Sequence, residues 1–430
     1  MTRTLLASCL LAIIAVEARG QDPWFDGKID GLVTLYRDLH AHPELSYQEV
    51  ETAKRIAGEL SGLGAEVTPN VGKLGVVGIL KNGNGPVVLV RSDMDALPVA
   101  EATGLPYASK ATGKNDAGQA VPVMHACGHD IHMTCLVGTA RWLVDHKDRW
   151  SGTVILIGQP AEEAIGGAKA MLEDGLYTRF PRPDFALALH VAHDLETGKI
   201  GYISGPAMAG STSLDVVVRG KGGHGAMPDK TVDPIVLASL LVLDMQTIVS
   251  REISPIQPAV VTVGSIHGGT RHNIIPDEVR LQLTIRAFRD DIRDLLLSGI
   301  RRRAEALAQG HKAPAPSVTV AYGTAPTINT PDLVSKVVPA LKRAIGEANL
   351  VNVDPTMGAE DFGLYGRDGV PTFMFRLGTI PAARVAEFKA SDKPLPSLHS
   401  ALFAPDPAPS IRTGIAAMTS AVVELLPPKR

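Results

Sequence analysis

LDVVVRG (214–220), GKGGHGAMPD (220–229), a helical run over 234–250, PAVVTVGSIHGG (258–269), DEVRLQLTIRAF (277–288), a second helical run over 292–309 and SVTVAYG (317–323) follow one another along the chain. The order strand, helix, strand, strand, helix, strand is that of a ferredoxin-like α+β unit. Val279, Leu281, Leu283 and Ile285 alternate with polar neighbours, which predicts one buried face and one wet face. On either side of this unit the pattern changes. Short apolar runs at 75–80, 87–91, 153–158 and 185–190 alternate with helical stretches at 132–144 and 166–174, and 29–63 reads as helix broken around His42-Pro43. Apolar strands alternating with helices predict an α/β layer around a mostly parallel sheet buried on both faces. After about residue 325 the chain returns to helix, to the strand PTFMFRLG (371–378) and to a helix ending near Leu426. The ferredoxin-like unit, roughly 205–320, thus reads as an insertion between 21–204 and 321–430 of one α/β domain.

With 430 residues, 45% hydrophobic and 20% charged, the composition is that of a globular protein of about two domains. A formal net charge of -3 and the lack of any basic stripe give no sign of a nucleic-acid partner. Arg3, the apolar run 5–16 and the small residues Ala18 and Gly20 read as a signal peptide, with cleavage after Ala18 or Gly20. The expected location is therefore secreted or periplasmic, and the run is too short to span a bilayer comfortably. Cys127 and Cys135, the two cysteines beyond that segment, lie eight residues apart, which argues against a disulfide framework.

Metal-binding side chains sit beside turn-prone stretches throughout the chain: Cys127 and His129 in MHACGHDIH, Glu163 in QPAEEAIGG, His190 closing DFALALH, and His399 in PSLHSALF. Several lie at the carboxyl ends of expected strands, where open α/β sheets place their ligand crevice. Cys127 and His129, separated by one glycine, can reach one metal pair from a single loop; the rival reading of Cys127 is a catalytic nucleophile. Glu162, beside Glu163, is left free to face a bound water, the usual arrangement for attack on an amide or ester. Asp93, just past a strand, is the expected acceptor of a ligand histidine's second ring N–H. In the inserted unit, His224, Asn273 and Arg286 offer groups that stabilise an oxyanion and grip a carboxylate. A protein that binds metal with a vestigial pocket would lack the free base; Glu162 is present.

DLHAHPELSYQE (38–49), DMDALP (93–98), MHACGHDIHM (124–133), QPAEE (159–163), GGHGAMPD (222–229), HNIIPDE (272–278), MGAEDFG (357–363) and LHS (398–400) closely resemble, in this order, the blocks of the M20 metallopeptidase family, in particular its amidohydrolase branch. The resemblance covers nearly the whole chain beyond the signal segment. It implies a catalytic domain with two divalent metal ions (zinc, manganese, cobalt or nickel) and an inserted lid domain that dimerises. It matches Cys127, His129, Glu163, His190 and His399 to metal ligands and Glu162 to the general base. His224 matches an oxyanion-stabilising histidine often supplied across a dimer, and Asn273 and Arg286 fall where the family engages the substrate carboxylate. The implied reaction is hydrolysis of N-acyl amino acids or small conjugates, with a carboxypeptidase or dipeptidase as the alternative.

Overall fold

The computed structural model describes residues 22–429; the segment expected to be a signal peptide lies outside the described residues. The main sheet has eight strands in the order Glu66–Val71, Gly75–Asn82, Gly152–Gln159, Val87–Asp93, Phe185–Glu196, Thr372–Ile380, Ile200–Tyr202, Leu350–Asn352. The four central strands run parallel to one another, while the first two and Ile200–Tyr202 pair antiparallel. Alternate residues of each central strand enter different cores. Val88, Val90, Leu187 and Leu189 meet the helices Ile29–Ala41, His129–Asp145 and Pro407–Leu425, whereas Leu89, Ile155, Ala186 and Ala188 meet Met171, Tyr177 and Phe362 on the other face. Burial on both faces is why these strands read as continuous apolar runs. The layer is α/β/α.

The inserted unit has its own four-stranded antiparallel sheet, ordered Ala259–Gly268, Glu278–Ala287, Gly210–Arg219, Ser317–Thr324. Its core joins Leu214, Val216, Leu281, Leu283 and Ile285 to Leu237, Leu241, Leu296 and Ile300 from the helices Pro234–Arg251 and Asp290–Gly310. Asp233 caps the first of these by accepting from the Ile235 N–H, and Pro234 occupies the first turn, where no donor is missed. Pro234–Arg251 is the one described helix long and apolar enough to cross a membrane, and it packs Leu237, Leu241, Met245 and Ile248 into this core. Its outer side keeps Ile235, Val236 and Leu243 exposed.

Candidate metal centre

The site forms where the central strands end. Gly152–Gln159 runs through Pro160 into the turn carrying Glu162 and Glu163, Phe185–Glu196 carries His190, and His129 opens the helix His129–Asp145. His399 lies in the connection to the last helix, with a left-handed backbone (φ 66°) and its N–H bound to the Ala126 carbonyl. Gly128 decides the shape of the Cys-Gly-His loop. Its φ is +75°, and a Cβ there would lie 2.7 Å from a Val191 methyl, so only glycine turns tightly enough to aim both flanking side chains at one point.

Three groups of donor atoms each lie within 4.8 Å of one another: Cys127, His129 and His190; Cys127, Glu163 and His399; His129, Glu162 and Glu163. The first two groups share Cys127. Its Sγ is 3.7 Å from His190 Nε2, and His399 Nε2 is 3.3 Å from Glu163 Oε1. Two buried atoms facing this space, His129 Nε2 and Glu163 Oε1, have no hydrogen-bond partner. Orphaned buried polar atoms are rare in folded proteins. Here both belong to the converging donor groups, and with thiol, imidazole and carboxylate together the donor set fits divalent cations.

The electrostatics point the same way. Burial, then the charges of Glu360, Glu163 and Asp361, push the Glu162 carboxyl well above its usual range. Burial and then Glu163 and Glu162 do the same to the Cys127 thiol. Burial lowers His129, but Asp93 and Asp95 outweigh it and raise the group to about 10. Surplus negative charge around donor atoms is what a bound cation neutralises, displacing the protons from thiol and imidazole. His190, lowered to about 4 chiefly by burial, is already a neutral lone-pair donor.

The hydrogen bonds behind the donors correct the role expected of Asp93. His129 donates Nδ1 to the Asp95 backbone carbonyl at 2.8 Å, and His190 Nδ1 bonds the Val191 carbonyl at 2.8 Å. Asp93 instead accepts from His132 Nδ1 at 2.6 Å and from Arg91 at 2.5 Å. The reason is Arg91, whose fully buried guanidinium also needs Gln159, Glu360 and Asp361 at 2.9, 2.8 and 3.1 Å. A buried cation left unpaired is costly, so Asp93 is drawn to it. His132, with Nε2 accepting from the Val191 N–H, has no ring atom free for a metal. Of the two aspartates in DMDALP, sequence reading thus picked Asp93 over Asp95, and it missed Glu360. Asp95 lies in the DMDALP block, but spacing does not say which aspartate faces which partner. Glu360 sits within 4.8 Å of Asp93 and Glu162, and nothing in MGAEDFG by itself signals that.

A cavity of about 460 Å³ opens from these residues toward the inserted unit. Cys127, Glu162, Glu163, His190 and His399 line its floor, and Arg286, Ser211, Ser213 and Tyr322 come from the inserted sheet. Arg286 is half-buried, lowered by that burial, and makes no hydrogen bond or ion pair to the described residues. His224 and Asn273 do not line the cavity. They sit together on an exposed two-stranded ribbon formed by Gly223–His224 and Ile274–Ile275, where the Gly225 N–H bonds the Asn273 carbonyl at 2.9 Å and His224 Nδ1 accepts from the Ala226 N–H at 3.0 Å. One chain therefore brings Arg286 to the metal-binding cluster and leaves the other two outside it.

Residues 89–391 match the family model described as peptidase family M20/M25/M40. N-acetylcysteine deacetylase of Bacillus subtilis is 37% identical over 351 residues, covering 81% of this chain and 88% of the relative. Hippurate hydrolase of Campylobacter jejuni is 39% identical over 333 residues, covering 77% and 84%. The crystal structure of the Bacillus subtilis YXEP protein, described as a dinuclear metal-binding peptidase of the M20 family, superposes with a TM-score of 0.75 at 30% identity, covering 93% and 99%. Shared fold, matched span and a converging set of metal-binding side chains agree: this chain belongs to peptidase family M20/M25/M40 and is a metal-binding hydrolase of amide bonds.

Proposed function

We propose that the enzyme hydrolyses the amide bond of N-acyl amino acids or small amino-acid conjugates, with Glu162 as general base. One observation carries the reading: Glu162 lines the cavity at 4% exposure, while the adjacent Glu163 points its carboxylate at His399. Two neighbouring glutamates thereby serve different ends. Cys127, His129, Glu163, His190 and His399 would hold two divalent cations. The mixed donors suit zinc, and manganese, cobalt or nickel also fit. Bound there, such ions supply Lewis acidity to water and to the scissile carbonyl.

Glu162 takes a proton from the attacking water and returns it to the departing amine nitrogen. Arg286, an unpaired cation in the cavity wall, receives the substrate's carboxylate; Asn273, outside the cavity of its own chain, would assist from the second copy that supplies His224. His224 stabilises the oxyanion from a second copy of the chain, which accounts for its distance from the cavity of its own chain. The second copy docks on the outer side of Pro234–Arg251, where Leu243 is 70% exposed, and on the neighbouring edge strand Ala259–Gly268. Leu243→Asp should shift the protein from dimer to monomer in light scattering; a wild-type monomer would refute the docking. The signal segment assigns the enzyme to the periplasm or exterior, which mass spectrometry of the mature N-terminus tests.

The deciding variant is Glu162→Gln. It should keep its metal content by elemental analysis and lose roughly 10²–10⁴-fold in kcat on N-acetyl, N-benzoyl or indoleacetyl amino acids. Wild-type turnover in that variant would sink the base assignment. Dipeptides in the same panel test the peptidase alternative.

A further inference from the structure

The block HPELSYQE (42–49) has no part in the chemistry above, yet it lies directly beneath the glutamate turn. Three successive backbone amides of that turn are held by two buried carboxylates. The Ala161 N–H donates to Glu49 Oε1 at 2.7 Å, the Glu162 N–H to Asp95 Oδ1 at 3.1 Å, and the Glu163 N–H to Asp95 Oδ2 at 2.9 Å. Ser46 donates to Asp95 Oδ2 at 2.6 Å, tying the second carboxylate to the same block. Ala161 has a left-handed backbone (φ 51°), as does Ile165 (φ 53°), a conformation that side-chain-bearing residues keep only when their surroundings impose it. Tyr47 braces the far end: a Cβ on Gly166 would lie 2.5 Å from its hydroxyl oxygen.

Glu49 stands at the N-cap of the helix Val50–Gly62, where an acidic side chain would ordinarily turn back on its own helix. It makes no such bond. It is fully buried, and it reaches 112 residues along the chain to the amide just before the hydrolytic glutamate. Its other oxygen, Oε2, has no partner. We propose that Glu49 is a positioning residue: by fixing the strained Ala161 amide it aims Glu162 at the scissile carbonyl and Glu163 at the cations. The proposal rests on Glu162 being the base.

The bond needs an acceptor oxygen, not a charge. Burial and the nearby Asp95 push Glu49 up to about 7, so its neutral form is accessible, and glutamine offers an equivalent carbonyl. Two variants and two readouts follow. In metal-free protein, amide hydrogen exchange of the peptide spanning 159–167 should quicken in Glu49→Ala and stay at the wild-type rate in Glu49→Gln. With saturating metal, Glu49→Ala should lose roughly 10²-fold in kcat with little change in KM, and Glu49→Gln should recover most of it. If Glu49→Ala does not fold, Glu49→Asp, one methylene shorter, takes its place.

Wild-type exchange in Glu49→Ala, or a glutamine variant as slow as alanine in kcat, overturns the proposal. A general loss of folding would lower the active fraction without confining faster exchange to 159–167. Failure of the base assignment is read separately, by Glu162→Gln, because exchange in metal-free protein reports the Glu49–Ala161 bond without catalysis.

Discussion

The floor of the cavity and the two-stranded ribbon of the inserted unit carry the same kinds of side chain under opposite constraints. On the floor, Asp95 and Glu49 hold the glutamate turn, Asp95 and Val191 carbonyls hold His129 and His190, and all but His399 and Glu163 are buried. On the ribbon, His224 and Asn273 are exposed and tied only to backbone of the ribbon itself. Residues that must meet within an ångström are fixed by buried polar networks in a rigid sheet. A group that arrives from elsewhere is left on a surface, free until something docks. On the proposed reading, the contrast separates what one chain would complete alone from what a second copy would supply.

The hardest blow to the rigid side is Arg91→Leu. It strips the counter-ion from Asp93, Glu360 and Asp361 at once, and should cost ~3–5 kcal/mol in urea unfolding. A loss below about 1 kcal/mol would mean those carboxylates are neutral without it. The loose side predicts the reverse pattern for His224→Ala: stability within about 0.5 kcal/mol of wild type, but a kcat lower by roughly 10²-fold. Mixing it with Glu162→Gln, each strongly impaired alone, should raise activity above that of either variant through hybrid dimers. No recovery in a verified hybrid would place His224 in its own chain's site or outside catalysis.

A smaller effect concerns pH. His40 is clamped between Asp130 at 2.6 Å and Glu101 at 3.1 Å. Burial lowers it, yet bonding to Asp130 and Glu101 raises it overall, from 6.5 to about 9. A raised histidine contributes stability that is complete below pH 6.5 and is lost as pH climbs through about 9. The melting temperature should therefore sag between those values, and in His40→Gln the sag should shrink. An equal sag in both proteins would assign it to other groups.

Much of this was legible in the chain. Period-two alternation marked the inserted sheet, unbroken apolar runs marked the main one, and the donor types at strand ends marked the cluster, because each of these is a local property. Asp93 shows where local reading stops. Sequence places two aspartates past a strand, but the partner of each depends on Arg91, which is buried among carboxylates from 269 and 270 positions downstream. Glu49 is the sharper case, since it lies inside a stretch that reads only as helix, and its partner at Ala161 appears only in the fold.

The sequence by itself determined the layers, the insertion and the residue types available for metal and base, since periodicity and composition are written along the chain. Only the tertiary structure decided which carboxylate accepts from which donor, that Cys127 is common to two of the three donor groups, and that Arg286 reaches the cavity while His224 does not. Those choices depend on the desolvation of charges and on close approach between distant segments, which exist only once the chain has closed on itself.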